Sequence, residues 1–142
     1  MTIEILQKSS LTPSIAQQIR SLFNQLNSEI SQLIIDKVLV PDNTIVFAVC
    51  REGDELIGMA AMATYKVISG HKGMVEDVIV SANHRGKGIG KKLMLKLLEE
   101  GKKQQLNEIL LFSGHHRLPA ITLYKSLGFQ LKNSGLYTLK VG

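Results

Sequence analysis

The sequence predicts a mixed sheet covered by helices, in an α/β or α+β arrangement. Three observations carry this. Helical apolar spacing comes early, an antiparallel strand block follows, and a strand–helix–strand–helix–strand run completes the chain. The resulting sheet is expected to be mostly antiparallel, flanked by helices, with one parallel pair of strands joined by a right-handed crossover.

The elements follow in order. "IEILQKS" reads as a short first strand. "TPSIAQQIRSLFNQLN" reads as a helix: Thr12 caps it, Pro13 fits its first turn, and Ile15, Ile19, Leu22, Phe23 and Leu26 recur at helical spacing. "SEISQLIIDKVLV" is expected to form a second helix closed by Pro41, after which "PDN" turns the chain. "TIVFAVCREGDELIGMAAMATYKV" reads as two strands around a Glu-Gly-Asp turn. "GMVEDVIVS" is a third strand between Gly73 and Ser81. A long helix begins near Ile89, with Ile89, Leu93, Met94, Leu97 and Leu98 as its apolar stripe and Leu95 off it. "NEILLFS" is another strand. "LPAITLYKSLG" is a helix with Pro119 in its first turn and Gly128 at its C-terminal end. "FQLKN" and "LYTLKV" are expected to close the chain as a hairpin.

Size and composition narrow the function. A chain of 142 residues is expected to be a single domain, 1–142. It is long enough to bury a core without staples. No apolar run approaches the roughly 20 residues that span a bilayer. The N-terminus lacks the layout of a signal peptide. With one cysteine, Cys50, no disulfide framework or cysteine-rich metal site is available. Two adjacent histidines, His115 and His116, make no metal site by themselves. These features predict a cytoplasmic protein with no metal and no membrane partner.

The net charge of +5 is concentrated. Arg85, Lys87, Lys91, Lys92, Lys96, Lys102 and Lys103 stand against only Glu99 and Glu100 in one stretch. An anionic partner or a solvated helix face would both explain this. Nucleic acid is disfavoured, because single-strand binders need stacking faces and the chain is 5% aromatic with no tryptophan.

"HRGKGIG", residues 84 to 90, places three glycines and two cations between a strand and a helix. The first N–H groups of a helix lack internal partners, and the dipole is positive there. Glycines let a phosphate approach the backbone, and Arg85, Lys87 and Lys91 add charge. Two other phosphate motifs fail. A P-loop would need Gly at 85 and Ser or Thr at 92, where Arg and Lys stand; the dinucleotide fingerprint would need Gly at 91, which is Lys. What remains is Arg-Gly-X-Gly-X-Gly, a phosphate cradle or a tight turn.

"VEDVIVSANHRGKGIGKKLM" resembles the central motif of the GNAT superfamily, the acyl-CoA-dependent N-acetyltransferases. Arg85, Gly88 and Gly90 match its Arg/Gln-X-X-Gly-X-Gly/Ala signature. "AITLYKSLGF" is similar, more loosely, to the family's late helix and strand. The two blocks run in the family's order between Met74 and Phe129.

The resemblance implies a fold and a chemistry. The strands "MVEDVIV" and "EILLFS" would splay apart to admit acetyl-CoA. Backbone groups of Val78, Ile79 and Val80 would pair with the pantetheine arm. Amides of Arg85, Gly86, Lys87, Gly88, Ile89, Gly90 and Lys91 would hold the pyrophosphate. The amine would attack the thioester directly, with no acyl-enzyme. Family members are often dimers, so a homodimer is compatible.

Tyr124 is the expected general acid for the leaving thiolate. Its place beside Ala120, Leu123 and Leu127 on one helical face equally describes a core tyrosine. Glu76 is the candidate base. Strand alternation puts Glu76 with Met74, Val78 and Val80, and Asp77 with Val75 and Ile79, so each acid interrupts an apolar row. Such a carboxylate has raised basicity if desolvated, or is a solvated strand-end group if not. Asp77 is a candidate for orienting the substrate or a nearby basic residue. His115 and His116 follow the "LLFS" strand, where family members often carry Asn, and either could act as base, bind substrate or stack on the cofactor, or be an exposed loop residue; Ser113 is a weaker candidate. Cys50 reads as packing.

The expected reaction is acetyl transfer from acetyl-CoA to a primary amine of a small molecule. "VEDVIVS" is similar to the matching strand of glucosamine-6-phosphate N-acetyltransferases, which keeps an amino-sugar phosphate open as acceptor. A peptide or protein amine is a third candidate acceptor. A non-catalytic CoA-binding module is the competing reading without chemistry. The residues between Ser14 and Val40 and the loop "KVISGHKG", with Arg20, Glu29, Asp36 and His71, are expected to shape the acceptor pocket.

Overall fold

Thr12 starts the first long helix where the sequence places its cap. Its hydroxyl accepts the Ile15 amide at 3.1 Å, satisfying one orphan donor of α1 (Pro13–Leu26). The computed structural model describes all residues, Met1–Gly142, in two compact units, Met1–Phe112 and Ser113–Gly142. No helix is long and apolar enough to cross a membrane.

The first unit is a five-stranded sheet in the order β1 (Thr2–Ile5), β2 (Ile45–Glu52), β3 (Glu55–Val67), β4 (Gly70–Val80), β5 (Glu108–Leu110). The first four strands are antiparallel neighbours, and β5 runs parallel to β4, as the pattern requires. The crossover between β4 and β5 is α3 (Ile89–Lys103).

Both faces of the sheet are covered. On one, Ile15, Ile19 and Leu22 of α1 pack with Phe47, Val49, Met59, Ala61 and Ile79. On the other, Ile89, Leu93, Met94 and Leu97 of α3 are buried, and a Cβ at Gly58 of β3 would meet Ile89 and Leu93 at 3.1 Å. Gly58 thereby lets the first turn of α3 seat closely on the sheet. Cys50 is buried among these strands, and desolvation pushes its thiol up, as expected of packing.

The structure corrects three expectations in this unit. The second helix shrinks to α2 (Ile35–Val38). Asn27 ends α1 and its side-chain oxygen accepts the Glu29 amide at 2.9 Å, a local turn that competes with helix. Gln32 then bonds back to the Arg20 carbonyl and to Asn24, leaving Ile30, Leu33 and Ile34 exposed with no apolar face to bury. The "KVISGHKG" segment is not a loop. Lys66 pairs with His71 and Val67 with Gly70, so it forms the ends of β3 and β4. Finally, β5 is shorter than "NEILLFS" suggests, for a reason that belongs to the site.

The second unit contains α4 (Leu118–Ser126). Gly128, with φ +98°, donates to Lys125, and Phe129 donates to Tyr124 at 3.1 Å. These bonds form a Schellman ending, which needs the left-handed residue that glycine supplies. The expected terminal hairpin is absent: residues 129–142 form no strand, and Leu131, Tyr137, Leu139 and Val141 are exposed. An alternating apolar segment becomes a strand only when an edge hydrogen-bonds to it.

Candidate functional site

The parallel pair β4–β5 is fastened at one end and open at the other. Asn107 donates its amide to the His71 carbonyl at 2.7 Å and accepts the His71 amide on its side chain at 2.8 Å. Lys72, Gly73 and Met74 then pair with Glu108, Ile109 and Leu110, with Lys72 and Glu108 3.8 Å apart. There pairing stops, although β4 continues to Val80. The edge of β4 at Val78, Ile79 and Val80 therefore has no strand partner on the β5 side. An extended ligand could hydrogen-bond there as an added strand.

A bulge interrupts β4 on its other edge. Met59 pairs with Ile79 and Ala61 with Glu76, so Asp77 and Val78 together oppose Ala60. Asp77 adopts φ +55°, a left-handed conformation that aspartate tolerates better than most residues. This corrects the expected alternation. Paired residues point to the same side, so Glu76 opposite Ala61 and Ile79 opposite Met59 both lie on the α1 face. Val80, opposite Gly58, belongs to the α3 face. One extra residue has changed the company that Glu76 keeps.

Glu76 and Asp77 are exposed, yet both carboxyls are raised above their usual range. For Glu76 the main cause is desolvation, with the charge of Asp77 second. For Asp77 it is desolvation alone. Such carboxylates bind protons more readily than solvated ones.

The chain leaves β4 through a 3-10 turn, Ala82–His84, into α3. Gln25 at the end of α1 holds this exit by accepting the Ala82 amide at 2.9 Å. Gly86 and Gly88 have φ +80° and +75°, and a Cβ built on either meets nothing within 4 Å. They are glycines for conformation, and the space before them is open. Gly88 is the N-cap of α3 and brings no side-chain cap, so the first amides of the helix face outward unsatisfied by one. Lys96 and Lys103 pair with Glu99 and Glu100 at 3.3 to 3.9 Å, so two of the cations toward the far end of the helix are already partnered. Lys87 and Lys91 enter no ion pair, and Arg85 reaches back to the Val80 carbonyl at 3.4 Å. Unpaired positive charge is thus available where the glycines and amides are.

In the second unit Tyr124 is buried on α4. Its ring meets that of Phe129 edge-on, with centroids 6.1 Å apart. Burial pushes its phenol up, slightly opposed by Arg117, which keeps it protonated at neutral pH. His115 and His116 are exposed in a turn, and the His116 ring folds over Gly114, whose Cβ would come within 2.7 Å of it. The Ser113 hydroxyl is buried without a hydrogen-bond partner.

Within the first unit, then, Glu76, Asp77, Val78–Val80 and the 85–91 turn follow one another along β4 and its exit. Of the residues expected to shape an acceptor pocket, His71 lies at the fastened end and Arg20 bonds to Gln17 on α1 at 3.2 Å. Sequence reasoning misses two contributors. Gln25 carries no motif, and only the structure shows its bond to Ala82. His84, whose Nδ1 is buried and unpartnered, sits just before Arg85 at the flank of the motif, where position alone gives it no role.

Comparison with known proteins points to one family and fold. Residues 12–129 match the model of the Acetyltransferase (GNAT) family. The chain is 34% identical over 86 residues to N-acetyltransferase family 8 member 2 of Rattus norvegicus, covering 59% of this chain and 38% of that protein. It is 33% identical over 103 residues to the N-acetyltransferase YsnE of Bacillus subtilis, covering 71% and 65%. The match therefore spans less than two thirds of either relative. An aminoglycoside acetyltransferase from an uncultured soil metagenomic sample superposes with a TM-score of 0.80 at 21% identity, over 98% of this chain and 96% of that one. At that identity the likeness is one of fold.

Proposed function

The chain belongs to the acetyltransferase (GNAT) family, and from that membership we propose that residues 1–142 work as one N-acetyltransferase domain that moves an acetyl group from acetyl-CoA to the primary amine of a small molecule. The observation that carries this reading is the open edge of β4 running directly into an unpaired cationic, glycine-lined helix start. An extended arm ending in phosphates fits that succession. A plain nucleotide would use the helix start and leave the edge idle.

Bound acetyl-CoA supplies an activated acetyl thioester. Backbone groups of Val78, Ile79 and Val80 hold the arm, while the amides and cations from Arg85 to Lys91 (Arg85, Gly86, Lys87, Gly88, Ile89, Gly90 and Lys91) hold the pyrophosphate. Glu76 accepts a proton from the arriving ammonium, directly or through water, and its raised carboxyl suits that task. The freed amine attacks the thioester carbonyl, forming the C–N bond as the C–S bond breaks. Tyr124 gives its proton to the departing sulfur, and the second proton that the nitrogen sheds on becoming an amide restores the phenol. Asp77 of the first unit and, in the second, His115 and His116 are each proposed as acceptor contacts.

Release of free thiol from acetyl-CoA tests the reading when measured against small amines, amino-sugar phosphates and peptides. Turnover with small amines supports it. Turnover confined to the phosphorylated sugars or the peptides moves the acceptor class. No turnover with acetyl-CoA bound leaves a cofactor-binding module.

A further inference from the structure

Three apolar side chains stand in solvent on the segment between α1 and α2: Ile30 is 52% exposed, Leu33 66% and Ile34 47%. Residues 27–34 are nevertheless tied in place. The Gln32 side chain donates at 3.1 Å to the Arg20 carbonyl and to the Asn24 side chain, and the Asn27 side chain accepts the Glu29 amide. Hydrogen bonds thus hold outward a patch of apolar surface that stabilises nothing within the chain, and such patches mark binding surfaces. We propose that this segment forms the acceptor side of the site and selects a primary amine carried on a hydrocarbon body without an anionic group. The proposal rests on reading Glu76 as the proton acceptor and deepens that reading by naming the acceptor class.

The placement follows from the two ends of the segment. At one end Gln25, in the last turn of α1, accepts the amide of Ala82 just past β4. At the other end Ile35 belongs to the core cluster that holds Phe47 and Ala61. Phe47 pairs with Ala61, and Ala61 with Glu76, so Glu76 continues that cross-strand row on the α1 face. Residues 27–34 therefore run between the exit of β4 and the row that Glu76 ends. An amine delivered to Glu76 from this side brings the rest of its body against Ile30, Leu33 and Ile34.

Charge on the same side sets the class. From Ser21 to Asp36 the only charged residues are Glu29 and Asp36, and Glu76 and Asp77 are exposed on β4. Arg20 is bonded to Gln17 at 3.2 Å, and the next cation along the chain is Lys37 on α2. Arg85, Lys87 and Lys91 are the cations assigned to the pyrophosphate. A phosphorylated acceptor would meet carboxylates here, with Lys37 alone to oppose them. An ammonium meets them favourably, and a hydrocarbon body is withdrawn from water by the apolar side chains.

The test is methyl NMR of the protein with coenzyme A bound, titrated with propylamine, butylamine and hexylamine, and with glucosamine 6-phosphate for comparison. The methyl signals are assigned by their loss in Ile30→Ser and Leu33→Ser, both at exposed positions outside the core. The Ile30 and Leu33 methyls should shift with the alkylamines, and affinity should rise about two- to fourfold per methylene, the upper value being what full burial of a methylene supplies. Glucosamine 6-phosphate should bind more weakly than hexylamine and leave these methyls unmoved. In Leu33→Ser the dependence on chain length should flatten, with acetyl-CoA affinity by calorimetry within about twofold of wild type. Affinity independent of chain length, tighter binding of the sugar phosphate, or an unaltered chain-length dependence in Leu33→Ser overturns the proposal. So do shifts of the same methyls on raising the protein concentration alone, which would make the patch a contact between copies of the chain. None of these readouts needs turnover. Hexylamine bound here but never acetylated would remove the transferase reading and leave the acceptor class standing.

Discussion

Phe129 holds Tyr124 twice: its amide donates to the Tyr124 carbonyl at 3.1 Å, and its ring packs edge-on against the Tyr124 ring at 6.1 Å. The backbone bond closes the Schellman ending of α4, and the ring contact is the apolar pair that accompanies such endings. The tyrosine is therefore fixed at the last turn of the helix by local chemistry. Removing its hydroxyl should leave that frame intact. Tyr124→Phe is expected to bind acetyl-CoA as the wild type does and to lose about 100-fold in kcat, the loss typical of a general acid. Unchanged kcat would make Tyr124 a packing residue. Phe129→Ala, which loses an aromatic pair of about 1 kcal/mol, should lower both Tm and kcat.

Glu76 couples activity to pH with a definite sign. A base works when ionised, so kcat/KM should fall as pH drops through its raised range, and Glu76→Gln should flatten that limb while lowering the plateau about 100-fold. Stability runs the other way. A carboxyl raised in the folded state binds more protons folded than unfolded, so its stabilising contribution is complete in acid and is lost as pH rises toward the folded value. Glu76→Gln should therefore be at least as stable as the wild type at neutral pH, with the difference vanishing in acid. A variant that is less stable at neutral pH than in acid, relative to wild type, would contradict the desolvation of Glu76.

The cradle makes a prediction about space as well as charge. Gly88 has open surroundings, so Gly88→Val costs about 1–2 kcal/mol through its φ of +75° and not through a clash. The new side chain would also stand where the phosphates are proposed to sit. KM for acetyl-CoA should rise well beyond what the loss of stability explains. Equal KM would place the phosphates elsewhere.

Charge on α3 should be functional at one end only. Lys91→Ala, which removes an unpaired cation, should weaken acetyl-CoA binding and reduce its salt dependence. Lys103→Ala, which removes a cation already shared between Glu99 and Glu100, should do neither. Calorimetry at two salt concentrations distinguishes them.

Much of the fold can be read from local signals because those signals act locally. Thr12 and Pro13 start α1, and the stripe of Ile89, Leu93, Met94 and Leu97 fixes α3, whatever surrounds them. The glycine turn is equally readable, since positive φ at Gly86 and Gly88 is a property of the residues themselves. What cannot be read depends on partners distant in sequence. The bulge at Asp77 exists only against Ala60 of β3, so alternation alone puts Ile79 on the wrong face. The exit of β4 is held by Gln25, 57 residues away. The apolar residues Ile30, Leu33 and Ile34 have helical spacing but no surface to cover, and the tail from Leu136 to Val141 has strand spacing but no bonded edge.

The most direct test is a thermal melt of the wild-type protein with and without acetyl-CoA, with ATP and NAD as controls. At about 100 times its dissociation constant a ligand adds about 2.7 kcal/mol of stability, a shift of several degrees in a domain of this size. The account predicts that shift for acetyl-CoA and none of comparable size for ATP or NAD. A folded protein whose melting temperature ignores acetyl-CoA at saturating concentration would contradict it.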